Sequence, residues 1–159
     1  MKGKEDIYEL TLEKMWNISS SRYFSNGKPE HARMILESFL RHAQTKVNLL
    51  CKNLNSDVFN TNSLKNALND ALMRNIEVNI LYQDDISSLQ TDLKDFVSKG
   101  LHLNQANGFG TGMNINFATF DGQGFRLEPN RNEPKAKACL NDPKQAQNLD
   151  YIFNNISPA

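Results

Sequence analysis

The sequence predicts an α/β fold in which a mixed β-sheet is flanked by helices on both faces. Three observations carry this. From residue 29 to about residue 104, apolar stripes with helical spacing alternate with short apolar runs of strand length. Asp121-Gly122 joins two runs in which apolar residues alternate, a hairpin signal. A last helical stripe follows Pro143. Strands alternating with helices call for parallel pairing through helical crossovers, and the hairpin then adds antiparallel strands on one side.

Residues 1–27 are read as an N-terminal extension ahead of one α/β domain, residues 28–159. Ile7, Leu10 and Met15 suit a helix, whereas Tyr8, Leu10 and Leu12 alternate like a strand. Tyr8, Trp16, Tyr23 and Phe24 are more apolar surface than a solvated tail carries, so they either pack on the domain or serve a partner. Pro29 suits a first helical turn, and Ala32, Ile35, Leu36, Phe39, Leu40 and Ala43 form one stripe behind it. Lys46–Cys51 has strand length. Thr61 or Asn62 caps a second helix with Leu64, Ala67, Leu68, Ala71 and Leu72 inside, and Asn75 marks its stop. Ile76–Tyr82 is a strand rich in β-branched residues. Asp84-Asp85 opens a third helix, with Ile86, Leu89, Leu93, Phe96 and Val97 buried and Gly100 as its end. Leu101–Asn104 is a brief strand. Met113–Phe120 and Gly124–Glu128 are the hairpin strands, and Ala136–Leu140 is the last strand. Asp142-Pro143 caps a closing helix with Ala146, Leu149, Ile152, Phe153 and Ile156 inside.

Composition narrows the function without naming it. Eighteen Lys+Arg balance eighteen Asp+Glu, so no net basic field draws the molecule to nucleic acid or an anionic membrane. No run approaches the roughly 18 apolar residues of a membrane span. Met1 to Asp6 lacks the apolar run of a signal peptide. Cys51 and Cys139 are too few for a disulfide framework or a metal site, and are expected as buried thiols of a cytoplasmic protein. No metal or other cofactor is expected.

The segments HARMILESFLRHAQTKVNLLCKNL, LKNALNDALMRNIEVNILYQDD and MNINFATFDGQGFRLEP, with KAKACLNDPKQAQNLDYIFNNI after them, resemble the phospholipase D-like family over roughly residues 29–156. The resemblance implies a bacterial or phage-style domain. Active members carry His-x-Lys-x4-Asp, in which the His attacks phosphorus and the Lys holds phosphate oxygens. Setting Asp121 at the Asp position puts Asn114 at the His and Asn116 at the Lys. Glu128-Pro-Asn-Arg131 stands where many members have Gly-Ser-x-Asn. A carboxamide is a very poor nucleophile, and an amide in place of the ammonium removes the cation that stabilises the phosphoryl transition state. The resemblance therefore implies a pseudo-phosphodiesterase with no catalytic residue. It also implies a homodimer with Asn114 and Asn116 near the twofold axis.

Strand alternation puts Asn114 and Asn116 on one face, and Arg126 with Glu128 on one face of the return strand. Asn114, Asn116, Asp121, Arg126 and Glu128 are thus the candidate ligand-binding residues. The plainer reading of the same set is a cross-strand Arg–Glu network. Arg131, Lys135 and Lys137 are candidates for nucleic-acid contact, against a plain solvated face. Asn107–Gly112 lacks the Gly-Lys-Ser/Thr ending of a P-loop and reads as a connection. His31 and His42 read as solvated or packing residues of the first helix. Three functions remain: a binding or regulatory module for a protein partner or nucleic acid, a phosphodiesterase or nuclease with another nucleophile such as His102, and a subunit completed by a larger chain.

Overall fold

The strands predicted between helices and the hairpin strands meet in a single seven-stranded sheet. The computed structural model describes residues 4–26, 28–52, 56–83, 93–106, 115–129 and 136–156. The strands are β1 (Phe24–Asn26), β2 (Lys46–Cys51), β3 (Glu77–Tyr82), β4 (His102–Gln105), β5 (Asn116–Phe120), β6 (Gly124–Glu128) and β7 (Ala136–Cys139). Their order across the sheet is β1-β7-β6-β5-β2-β3-β4. β2, β3 and β4 pair in parallel, as strands joined by long crossovers must. β2 meets β5 antiparallel, and β5, β6, β7 and β1 continue antiparallel to the edge.

The helices are α1 (Lys4–Asn17), α2 (Pro29–His42), α3 (Ser56–Phe59), α4 (Asn62–Met73) and α5 (Pro143–Asn154). Side chains alternate across each strand, so the sheet divides into two apolar layers. Val47, Leu49, Val78, Ile80, Ala118 and Phe120 pack with residues of α1 to α4. Leu50, Leu81, Phe117, Phe125 and Cys139 pack with Leu149 and Phe153 of α5. Helices on both faces of a mixed sheet are thus what the chain builds.

Local signals act where the sequence sets them. The Thr61 hydroxyl accepts from Leu64 N at 3.2 Å, and Asp142 accepts from Gln145 N at 3.2 Å, so both helices begin at side-chain caps. Asn75, at φ +63°, turns the chain out of α4. Gly100, at φ +112°, does so after a short 3-10 turn, Val97–Lys99. That turn replaces only the last turn of the predicted third helix, in which Leu93 and Lys94 are helical. A 3-10 turn rotates each residue about 120° rather than 100°, and Val97, which opens it, is 47% exposed; Phe96 just before it is half-buried. Leu93 is buried as expected, and Ile86 and Leu89 lie outside the described residues. Ile152 also departs from expectation, at 37% exposed, because α5 turns it to the rim of the face that Leu149 and Phe153 bury.

The N-terminal segment resolves into α1 and β1. Leu12 is buried, and the Trp16 ring lies 4.8 Å from that of Phe120. Tyr8 stacks on His31 with ring centroids 3.9 Å apart, and Trp16 stacks on His42 at 4.2 Å. β1 extends the sheet by pairing with β7. Among the described residues no helix is long and apolar enough to cross a membrane, and no three His, Cys, Asp or Glu converge as metal ligands. Cys51 and Cys139 are not joined in a disulfide, and both are buried.

Candidate functional site

The hairpin β5–β6 carries most of the predicted site, and its two ends do different work. Asp121 closes the turn end in a left-handed conformation, φ +56°, which a short polar side chain tolerates. Its carboxylate accepts from the backbone N–H groups of Gln44 (2.9 Å), Thr45 (2.8 Å) and Lys46 (3.0 Å), and from the Thr45 hydroxyl (2.8 Å). Burial opposes its ionisation. The bonds from Gln44, Lys46 and Thr45 outweigh that and hold the carboxyl below the usual carboxylate range. Asp121 is thus committed to the α2–β2 connection.

Asn116 begins β5, about 17 Å along the strand from Asp121 at the usual rise per residue. Its Oδ1 accepts from Lys52 N at 2.8 Å, and its Nδ2 donates to Glu128 Oε2 at 2.5 Å. Asn116 and Glu128 are direct cross-strand partners. Arg126 is two residues before Glu128 on the same face, buried beneath α1. Burial pulls the guanidinium's pKa down, and Glu128 and Tyr8 pull it back up. Tyr8, covering it from α1, is pushed up to about 12 by its own burial, with Arg126 opposing. Asn116 is thus bonded to Glu128, Glu128 shares a face with Arg126, and Tyr8 of α1 neighbours Arg126, while Asp121 stands apart from all three. Asn114, Arg131 and Lys135 lie outside the described residues. Lys137 faces the opposite side of the sheet, with its ammonium 4.9 Å from the centre of the Tyr23 ring.

His102 belongs to neither group. It opens β4, exposed, with Nδ1 2.7 Å from Asn79 Oδ1. Asn79 Nδ2 donates to Asn48 Oδ1 and to Glu77 Oε2, each at 2.9 Å, so Asn79 Oδ1 is the acceptor and His102 Nδ1 carries the proton. Asn48 in turn donates to Asp150 on α5 at 3.0 Å, and Asp150 also accepts from Thr119. This polar chain ties α5 to the sheet. It lies three strands from Asn116 and on the other face. His31 and His42 stack on Tyr8 and Trp16, so of the two roles open to them, solvated or packing, they pack.

Sequence reasoning missed the residues that follow the parallel strands. Lys52 follows β2 and Gln83 follows β3. Gln83 N donates to the carbonyls of Cys51 and Lys52 at 3.1 Å, and Gln105 Nε2 donates to Gln83 O at 3.2 Å. The available signal was positional. In open α/β sheets, ligands collect outside the carboxyl ends of strands at the point where the strand order reverses. β2 is that strand here, parallel to β3 and antiparallel to β5.

Neither a protein-family model nor a curated protein matches the sequence. Solved structures do match the fold. TrmBL2, described as an archaeal chromatin protein with a novel mode of DNA binding, superposes with TM-score 0.64 at 15% identity, over 95% of this chain and 58% of its own. Nuc from Salmonella typhimurium, a phospholipase D family member, gives TM-score 0.63 at 15% identity, over 87% of this chain and 97% of its own. The chain has the phospholipase D fold. NucT from Helicobacter pylori gives TM-score 0.59 at 12% identity, over 87% of this chain and 100% of its own. This chain thus spans little more than half of TrmBL2 and nearly all of Nuc and NucT. At these identities the likeness to phospholipase D structures is one of fold.

Proposed function

We propose that this chain is a phospholipase D-like binding module that has lost the histidine–lysine pair, and that its ligand is nucleic acid. The observation that carries the reading is Asn116. In this reading it takes the lysine position of the family motif, and each end of its amide already holds a partner, Lys52 N and Glu128. An amide so engaged supplies no cation to a phosphoryl group. Asn114, at the histidine position, is no nucleophile. The likeness to TrmBL2, a protein described as binding DNA, supports nucleic acid over a protein partner. The reading includes a cytoplasmic twofold homodimer, which sedimentation equilibrium tests directly.

The deciding experiment incubates purified protein with single- and double-stranded DNA, RNA and bis(p-nitrophenyl) phosphate, with and without EDTA, beside mobility-shift titrations over a range of salt. The expected result is no turnover, and DNA binding that weakens steeply as salt rises. Absence of a shift at low salt overturns the nucleic-acid reading.

A second reading, a phosphodiesterase of the same fold, has one observation in its favour. Asn79 fixes the His102 tautomer and leaves Nε2 as the exposed nitrogen with a lone pair. Turnover that disappears in His102→Ala would establish it and overturn the first.

A further inference from the structure

We infer that Gln83 is a base-reading residue of this chain, receiving the hydrogen-bonding edge of a nucleobase on its carboxamide. The inference rests on the nucleic-acid reading above and deepens it. Gln83 is only 4% exposed, and both its Oε1 and its Nε2 are buried without a hydrogen-bond partner. The backbone of the same residue is fully engaged, donating to Cys51 and Lys52 and accepting from Gln105. An orphaned buried donor or acceptor destabilises the free fold, and Gln83 holds one of each. Leucine or methionine at that place would avoid the cost. Strain of this kind is characteristic of sites shaped for a ligand rather than for the free fold.

Position and chemistry agree on the class of ligand. Gln83 follows β3 at the carboxyl end of the parallel strands, one hydrogen bond from Lys52, whose own N–H is held by Asn116. A carboxamide presents an acceptor and a donor side by side. Its complement is an adjacent donor and acceptor, as on the edge of adenine, where glutamine pairs bidentately with N6 and N7. A phosphate oxygen accepts only and would leave Oε1 unmet. The two atoms are enclosed in the free chain, so the base is one taken from a single strand, out of its stack. Gln105, half-buried, donates to the Gln83 backbone carbonyl at 3.2 Å and leaves the carboxamide unpartnered.

The test compares a short single-stranded oligo(dA) with an abasic oligomer of equal length and charge, by fluorescence anisotropy at low salt, for the wild type, Gln83→Leu and Gln83→Met. Wild type should prefer oligo(dA) by about tenfold or more, the scale of one bidentate base contact. Both variants should bind oligo(dA) only as well as the abasic oligomer. Their melting temperatures should equal or exceed that of wild type, because two orphaned atoms have been removed. Equal wild-type binding of the two oligomers overturns the inference and leaves the nucleic-acid reading standing. So does a preference that survives both substitutions. Variants that melt several degrees lower also overturn it, since the amide then has a structural partner in the free protein. Wild type that binds neither oligomer also overturns the inference, while the nucleic-acid reading is decided by the mobility-shift titrations with duplex DNA and RNA.

Discussion

Asp121 joins the hairpin turn to the start of β2 across 75 residues of sequence, and it shows what a residue's identity can and cannot announce. Asp121-Gly122 marks the turn legibly. The partners of the carboxylate, three successive N–H groups at Gln44, Thr45 and Lys46, do not appear in any local pattern. Asp121→Asn keeps the turn geometry but replaces a charged acceptor with a neutral one that must spend half its amide on donation. Urea denaturation should show a loss of about 1–3 kcal/mol. The pH dependence has a definite sign. The folded pKa of Asp121 is depressed, so its contribution is complete above the unfolded value near 3.9 and is lost as pH falls from there through the lower folded value. Wild-type stability should fall across that acid window more steeply than that of Asp121→Asn. Parallel profiles would show that the carboxylate contributes no charge-specific stability. Asn116 was legible in the same limited way. Spacing set Asn116 at the lysine position that the family resemblance implies, but not that its amide bonds both Lys52 N after β2 and Glu128 on β6.

Elements were readable wherever a single face decides them. α2 and α4 carry clean apolar stripes, and both stripes are buried as read. α1 resisted reading because its apolar residues do not share a face. Tyr8, Leu12, Met15 and Trp16 pack on the domain, while Ile7 and Leu10 stay exposed. Its docking rests on two rings laid over two histidines of α2, a pairing that no hydropathy pattern encodes. The β5–β6 hairpin has a stricter requirement that was also silent in the sequence. A Cβ at Gly124 would stand 2.2 Å from Phe120 Cε1 and 2.8 Å from the Cys139 carbonyl. The Phe120 ring is held by Phe39 at 4.7 Å and by Trp16 at 4.8 Å, so it has nowhere to retreat. Gly124→Ala should therefore destabilise the fold by at least about 2 kcal/mol, toward the upper end of overpacking costs. A variant within about 0.5 kcal/mol of wild type in urea, the range of ordinary surface changes, would mean that the aromatic cluster yields more readily than its packing implies.

At the scale of the whole molecule, one sheet buries both of its faces, and the N-terminal segment contributes to each level of that arrangement. β1 forms an edge of the sheet, and α1 closes the layer over Arg126 and Phe120. Alternation of strands and helices made the sheet legible. The attachment of residues 4–26 was not, because edge pairing with β7 joins residues more than a hundred positions apart, Phe24 to Ala138. This architecture makes a prediction about cooperativity. Trp16 is the chain's only tryptophan, so its fluorescence reports on α1 alone, whereas far-ultraviolet circular dichroism reports on all the helices and strands. If α1 is part of the domain's core, the two signals should share one midpoint and one slope in urea, as a two-state unit requires. Two orphaned atoms, Tyr8 OH and Trp16 Nε1, argue the other way, since each lowers the free energy of docking. The balance favours a single transition. Leu12 and the Trp16–Phe39–Phe120 contacts bury apolar surface continuous with the central cluster, and β1 must break from β7 before the segment can leave. A Trp16 transition that precedes the dichroism change would instead make α1 a separate cooperative unit, able to uncover Arg126 while the sheet stays folded.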